Sequence, residues 1–248
     1  MTPVQRAERS SAEATRSPWN SRIVLEPIGP EIWGWVTDYR LGALTVPHRM
    51  TVMRGAHGGL LVHSPAKPDA ATRASLDALG PVEAIVWPSW WHDLYLRAWA
   101  AAYRSATLYV APGLRGAVRS LPNAVILAES THVSADVEQI FVDPLGVNFD
   151  EFVFFHRPSG ALIVADLVVN VHGGLGFSAK ILFRLMGAYP APRIPWCYRL
   201  VIRDRRELRA KLDRVLAWDF DRLVVGHGDV ILSGAKTAFA KTCDDLLR

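Results

Sequence analysis

The hydrophobic pattern changes character along the chain. Between residues 22 and 63, short β-prone runs alternate with turn formers. The runs are Arg22–Glu26, Ile32–Thr37, Leu41–Val46, Arg49–Arg54 and Leu60–His63, broken by Pro27, Gly29, Pro30, Pro47 and Gly58-Gly59. This predicts an antiparallel opening. Strands then alternate with helices. Asp69 caps a helix through Ala78 that Gly80-Pro81 stops. Val82–Trp87 is a continuous apolar strand, followed by a helix from Asp93 to Tyr103 with Tyr95, Trp99, Ala102 and Tyr103 on one face. Strand Thr107–Ala111, a short helix at Leu114–Ser120 and strand Ala124–Leu127 come next.

Residues 128–149 carry no readable period. Glu151–Phe155 and Ala161–Ala165 then form a hairpin around Arg157-Pro158-Ser159-Gly160. Ser178–Met186 is a helix inside a Gly- and Pro-rich stretch, 170–198, that suits a lid or a dimer contact. Asp204 and Glu207 make a capping pattern for a helix to Trp218, whose buried stripe is Leu208, Leu212, Val215 and Leu216. Strand Arg222–Val225, the turn Gly226-His227-Gly228 and a helix Ala235–Leu247 follow. The reading is one α/β domain, residues 21–248, with a sheet-rich core covered by helices. Residues 1–20, rich in Ser, Ala, Arg and Glu without a period, are expected to be a disordered tail.

Composition narrows the function classes. Half of the 248 residues are hydrophobic and the formal charge is only +4, partly from Arg6, Arg9, Arg16 and Arg22. No basic stripe interleaved with aromatics emerges, so nucleic acid is not an expected partner. Cys197 and Cys243 lack a metal-knuckle spacing, which suits a reducing cytoplasm. Apolar stretches such as Ala161 to Val171 fall short of the roughly 20 residues that span a membrane.

Candidate chemistry sits where apolar strands end. His92 and Asp93 follow Ile85-Val86-Trp87, Asp166 ends Ala161-Leu162-Ile163-Val164-Ala165, and His227 follows Leu223-Val224-Val225 across Gly226. In layered α/β folds such positions collect at one edge. Imidazole and carboxylate are ligands for zinc, and also for iron or manganese. Three of these residues have a specific structural alternative, a helix N-cap for Asp93, a packed imidazole for His92 and an acceptor for loop N–H groups at Asp166, while His227 is the best functional candidate with a structural role left open. His156 heads a hairpin turn and is expected at the surface or in support of the site. His63-Ser64 lie on opposite faces of a strand, which argues against a serine nucleophile. His48, His57, His132 and His172 are read as loop residues without partners. Trp87, Trp90, Trp91 and Trp99 suit either core or the wall of a small-molecule pocket.

Several segments occur in a telling order: Leu60 to Pro65, Ile85-Val86-Trp87-Pro88 through His92, Phe154-Phe155-His156-Arg157, Leu162 to Leu167, and Trp218-Asp219-Phe220-Asp221 through Gly226-His227-Gly228. The series resembles the DUF4336 family, itself similar to metallo-β-lactamase-fold hydrolases. The resemblance implies an αββα sandwich with its site along one edge of two sheets, Asp166 as the bridging carboxylate and His227 as the final histidine. Departures are clear. Where the superfamily has H-x-H-x-D-H, this chain has Pro88-Ser89-Trp90-Trp91-His92-Asp93, and the middle histidine falls near Val147. Pro88 and Trp90 cannot ligate a metal. The resemblance therefore implies a depleted site, with His92, Asp93, Asp166 and His227 as a remnant for one zinc, iron or manganese ion. Two functions follow as expectations: a non-catalytic descendant that binds a small molecule or partner, or a mononuclear metal-dependent hydrolase of a small ester, lactone or amide.

Overall fold

A computed structural model describes residues 25–41, 44–143, 149–190 and 192–248. The expected tail, and the position near Val147, lie outside them. Eleven strands form two sheets, and five α-helices accompany them among the described residues.

The first sheet has seven strands in sequential order: β1 (Glu26–Gly29), β2 (Ile32–Leu41), β3 (Leu44–Arg54), β4 (Leu60–His63), β5 (Val82–Trp87), β6 (Thr107–Val110) and β7 (Ala124–Ile126). The first three pairings are antiparallel and the rest parallel. The switch follows from the connections, because β4 and β5 are joined by helix α1 (Ala70–Leu79) while β2 and β3 are separated by only two residues in sequence. Asp69 caps α1, accepting from the Thr72 N–H at 2.9 Å, as the sequence predicts. The second sheet runs β11 (Arg222–Gly228), β10 (Ala161–Asn170), β9 (Glu151–His156) and β8 (Val137–Val142). Its hairpin β9–β10 turns through Arg157–Ser159, as expected.

Three hydrophobic layers result. Met53, Leu61 and Val86 of the first sheet meet Phe152, Phe154 and Val224 of the second. Helix α1 and helix α2 (Leu96–Ala102) cover the outer face of the first sheet, where Leu76, Leu96 and Trp99 are buried. Helices α4 (Arg205–Ala217) and α5 (Ala235–Leu247) cover the second, burying Leu208, Leu212, Val215 and Phe239. Each such side chain contributes about 1.5–3 kcal/mol when fully buried. Helix α3 (Phe177–Leu185) covers neither face. Its Phe183 packs with Val46, Val169 and Ala188 at one rim of the sandwich. This is the αββα arrangement.

Several local expectations need correction. Pro47 does not break a strand: β3 runs through it, paired to Asp38 of β2. On its other side β4 reaches only as far as Thr51, so Pro47 stands at a free edge, where a missing N–H costs nothing. His48 consequently lies in a strand, buried, and not in a loop. The helix expected from Asp93 begins at Leu96, and that expected at Leu114–Ser120 is only a 3₁₀ turn, Pro112–Leu114. His156 is fully buried, not at the surface. Trp87 and Trp99 are core, each donating its indole N–H to a backbone carbonyl, whereas Trp90 and Trp91 are exposed. Among the described residues no helix is long and apolar enough to cross a membrane.

Candidate metal centre

A bulge in β10 creates the site. Val164 pairs with Val225 and Val169 with His227, so β10 passes through four residues, Ala165 to Val168, where β11 passes through Gly226 alone. Asp166 therefore sits on a mid-strand bulge and not beyond a strand end. Glu151 fixes this bulge. Its fully buried carboxylate accepts from three successive backbone N–H groups, those of Ala165, Asp166 and Leu167, at 3.0, 2.7 and 2.8 Å. Burial and the neighbouring Asp166 carboxylate push the Glu151 pKa up, against the three donors that favour its charged form.

The bulge aims Asp166 at two histidines from distant segments. His92, in the 3₁₀ turn Trp90–His92 after β5, places Nε2 3.2 Å from Asp166 Oδ1. His227, inside β11, places Nε2 3.1 Å from the same oxygen. The other oxygen, Oδ2, accepts from the buried Ser89 hydroxyl at 3.1 Å. Both glycines beside His227 are required. A Cβ at Gly226 would lie 2.6 Å from the Ala165 carbonyl oxygen and 3.0 Å from the His92 ring. Gly228 has φ +108, and a Cβ there would meet the Asn170 carbonyl oxygen at 2.1 Å. Arg49 donates to the Gly228 carbonyl at 2.8 Å, tying β3 to β11 at this rim.

The tautomer of His227 decides what the site can hold. Its Nδ1 lies 2.6 Å from the Pro47 carbonyl oxygen, which only accepts, so Nδ1 carries a proton. In the neutral ring the Nε2 lone pair then faces a carboxylate oxygen at 3.1 Å. Such a contact is repulsive unless a proton or a metal ion lies between the two atoms. Burial alone would lower the His227 pKa, but the Asp166 hydrogen bond and charge and the Pro47 carbonyl together raise it. Asp166, in turn, is held well below the usual carboxylate range, since the two histidines outweigh its burial.

The donor set fits a metal. Ligand atoms about 2.0–2.1 Å from zinc lie roughly 2.9 Å apart at a right angle and 3.4 Å apart at the tetrahedral angle. The observed 3.1 and 3.2 Å fall between these limits. One donor atom from each of His92, Asp166 and His227 lies within 4.8 Å of the others. The fourth sequence candidate, Asp93, stands apart: it is exposed at the end of the 3₁₀ turn and does not join this group. Nor does it cap α2, whose N-cap is Tyr95, with φ 56.

Sequence reasoning overlooked His48, Ser89 and Glu151. His48 donates Nε2–H to the Ser64 carbonyl at 3.0 Å, and its ring centroid lies 5.1 Å from that of His92. Burial and the two neighbouring histidines keep its pKa well below the ordinary value. For Glu151 a signal existed: the pair Asp150-Glu151 heads the otherwise apolar run Phe152 to Phe155. Above the three candidate ligands opens a cavity of about 270 Å³, roofed by Leu182, Phe183 and Met186.

The fold has well-populated company. The chain is similar to a metallo-beta-lactamase from Pontibacter korlensis, with 14% identity and a TM-score of 0.59 over 91% of this chain and 99% of that one. It is similar to the metallo-beta-lactamase FIM-1 from Pseudomonas aeruginosa in its mono-zinc form, with 13% identity, a TM-score of 0.60, and 94% and 99% of the two chains covered. A putative diflavin flavoprotein A 5 fragment from Nostoc sp. PCC 7120 gives 10% identity and a TM-score of 0.63 over 90% and 96%. At such identities these likenesses show the fold alone. No curated protein matches the chain in sequence. Residues 30–176, more than half of the chain, match the model of a domain of unknown function, and the protein accordingly belongs to the DUF4336 family.

Proposed function

We propose that this protein binds one divalent transition metal through His92, Asp166 and His227 and hydrolyses a small ester, lactone or amide seated in the adjoining cavity. One observation carries the reading: the Pro47 carbonyl fixes His227 in the tautomer whose free Nε2 points at Asp166 Oδ1. Two neutral imidazoles and one carboxylate form a set used for catalytic zinc and for non-haem iron. A metal held there would supply Lewis acidity and an activated water. The chain's own residues supply the rest. Ser89 and Glu151 hold the Asp166 side chain and backbone, Pro47 holds the His227 ring, and apolar walls keep bulk water from the bound molecule.

Metal analysis of protein purified without chelator tests this directly. The expected result is about one equivalent of zinc, iron or manganese per chain, removed by His227→Ala and by Asp166→Asn. Less than about 0.1 equivalent, with no uptake on adding Zn²⁺, Fe²⁺ or Mn²⁺, overturns it. That second outcome favours the other reading, a non-catalytic binder of a small molecule. The observation behind that alternative is that Pro88 and Trp90 stand where the superfamily places two further histidines.

A further inference from the structure

The cavity beside the candidate metal centre has an uneven chemistry. Its floor is polar, made by His48, His92, Asp166 and His227, and its walls and roof are not. Tyr39, Phe149, Leu182, Phe183, Met186 and Tyr198 are among the wall residues, and no Lys or Arg lines it among the described residues. The cations nearest in sequence to the roof are engaged elsewhere. Lys180 and Arg184 lie over the Tyr189 ring, each 5.4 Å from its centroid, and Arg49 donates to the Gly228 carbonyl. The Tyr198 hydroxyl donates to the Asp166 carbonyl at 3.0 Å, so that group too is engaged.

In the metal-free protein, a ligand carrying its own carboxylate or phosphate would set that charge against apolar walls, with no Lys or Arg lining the cavity among the described residues and the Asp166 carboxylate close by. Burying an unpaired charge costs several kcal/mol. An uncharged molecule meets no such cost. Burial of its carbon surface contributes about 25 cal/mol per Å², and aromatic walls add favourable contacts. Size is bounded as well, since about 270 Å³ is below the roughly 300–1,000 Å³ of pockets for drug-sized ligands. The mouth is in keeping, because Trp91 both lines the cavity and is 52% exposed.

We infer that this cavity selects a small, uncharged, largely apolar carbonyl compound and rejects its anionic counterpart. As a substrate class this rests on the hydrolytic reading above; as a ligand class it stands on the walls alone. Phenylacetamide and phenylacetate differ in charge and hardly in shape, and they make the test. Each is titrated into the full-length, metal-free protein and followed by protein NMR. The expected result is saturable binding of phenylacetamide and at least tenfold weaker binding of phenylacetate. Leu182→Trp, which fills the cavity from the roof, is expected to weaken phenylacetamide at least tenfold while zinc uptake, which uses no group of Leu182, persists. Met186→Lys, which keeps side-chain length and adds a cation, is expected to raise phenylacetate affinity relative to phenylacetamide. Phenylacetate binding as tight as the amide in the wild-type protein, or no saturable binding of either probe, overturns the inference. Because the titration uses no metal, it fails separately from the metal reading, which zinc uptake by the same preparation decides.

Discussion

The β9–β10 hairpin has two ends, and its buried polar groups fare differently at each. At the turn, His156 donates Nε2–H to the Arg54 carbonyl at 3.1 Å and accepts at Nδ1 from the Ser159 hydroxyl at 2.8 Å. Every polar atom of that ring is consumed by a neutral partner, and burial lowers its pKa despite those contacts. At the open end, Asp166 and His227 have supports for one side of each group only. Pro47 takes one nitrogen of His227 and Ser89 takes one oxygen of Asp166, which leaves Oδ1 shared between Nε2 of His227 and Nε2 of His92. A satisfied imidazole is structure; a half-satisfied one keeps an atom free for the ligand role proposed above.

The sharpest way to break this comparison is to remove one histidine from each end. His227→Ala should lower zinc affinity by more than the roughly 10–100-fold that supporting residues are worth, because it deletes a donor. Asp166→Asn should do the same by removing the charge. His156→Ala should leave zinc stoichiometry intact and cost stability instead, about 3 kcal/mol, from a cavity and two orphaned partners. Zinc titration and urea unfolding on the same samples read both effects. A loss of zinc binding on His156→Ala would show that the two ends are not independent.

Next in size is Glu151→Gln. The amide keeps the shape but offers one oxygen where the carboxylate offers two, so three N–H donors cannot all be met. The bulge that aims Asp166 should loosen. Zinc affinity is expected to fall roughly tenfold, and stability by about 1–3 kcal/mol. An unchanged zinc affinity would mean that Asp166 is held by Ser89 alone.

These residues also show which parts of the molecule were legible in the sequence. Caps at Asp69 and Asp204, the hairpin and the long helices rest on local rules of spacing and turn chemistry, and they appear as read. His92, Asp166 and His227 were legible because each interrupts or follows an apolar run. Their supports were not. Ser89 lies 77 positions from Asp166, and Pro47 lies 180 from His227, so no local period encodes either contact. The bulge is equally silent, since Ala165 to Val168 reads as more apolar strand until β11 brings Gly226 against it. His48 was misplaced for a related reason. Proline was taken as a strand break, whereas here it sits where β3 has a free edge.

A smaller effect concerns His63, buried beside the site with its ring edge-on to Phe154. Burial lowers its pKa to about 3, from an ordinary value near 6.5. The folded state therefore binds fewer protons than the unfolded state between those values. Stability is full above about 6.5 and declines as pH falls toward 3. At about 1.4 kcal/mol per pH unit, this one group removes roughly 2 kcal/mol by pH 5. His48, also lowered, acts in the same direction, while His227, raised, contributes stability that is lost only as pH climbs through its folded value. The difference between wild type and His63→Leu isolates the single group. Urea unfolding at pH 7 and pH 5 should show the variant losing about 2 kcal/mol less on acidification. Equal losses would place the acid sensitivity in the other histidines.

The smallest expected effect is at Asp93, the candidate that the fold leaves outside. Both of its sequence-based roles fall to other residues: Tyr95 takes the cap position of α2, and the candidate ligand group is made of His92, Asp166 and His227. Exposed at the end of a 3₁₀ turn, its carboxylate is solvated in the folded and unfolded states alike. Asp93→Ala should then change stability by no more than about 0.5 kcal/mol, and zinc affinity by less than a factor of about three. The measurement has a use beyond confirming a neutral site. His92 is the adjacent residue, so a turn that reorganised when metal binds would carry Asp93 with it. A larger drop in zinc affinity would mean that the Trp90–His92 turn swings and brings Asp93 in as a fourth donor. An unaffected site would mean that the turn holds the same conformation with and without metal, and that three protein donors suffice.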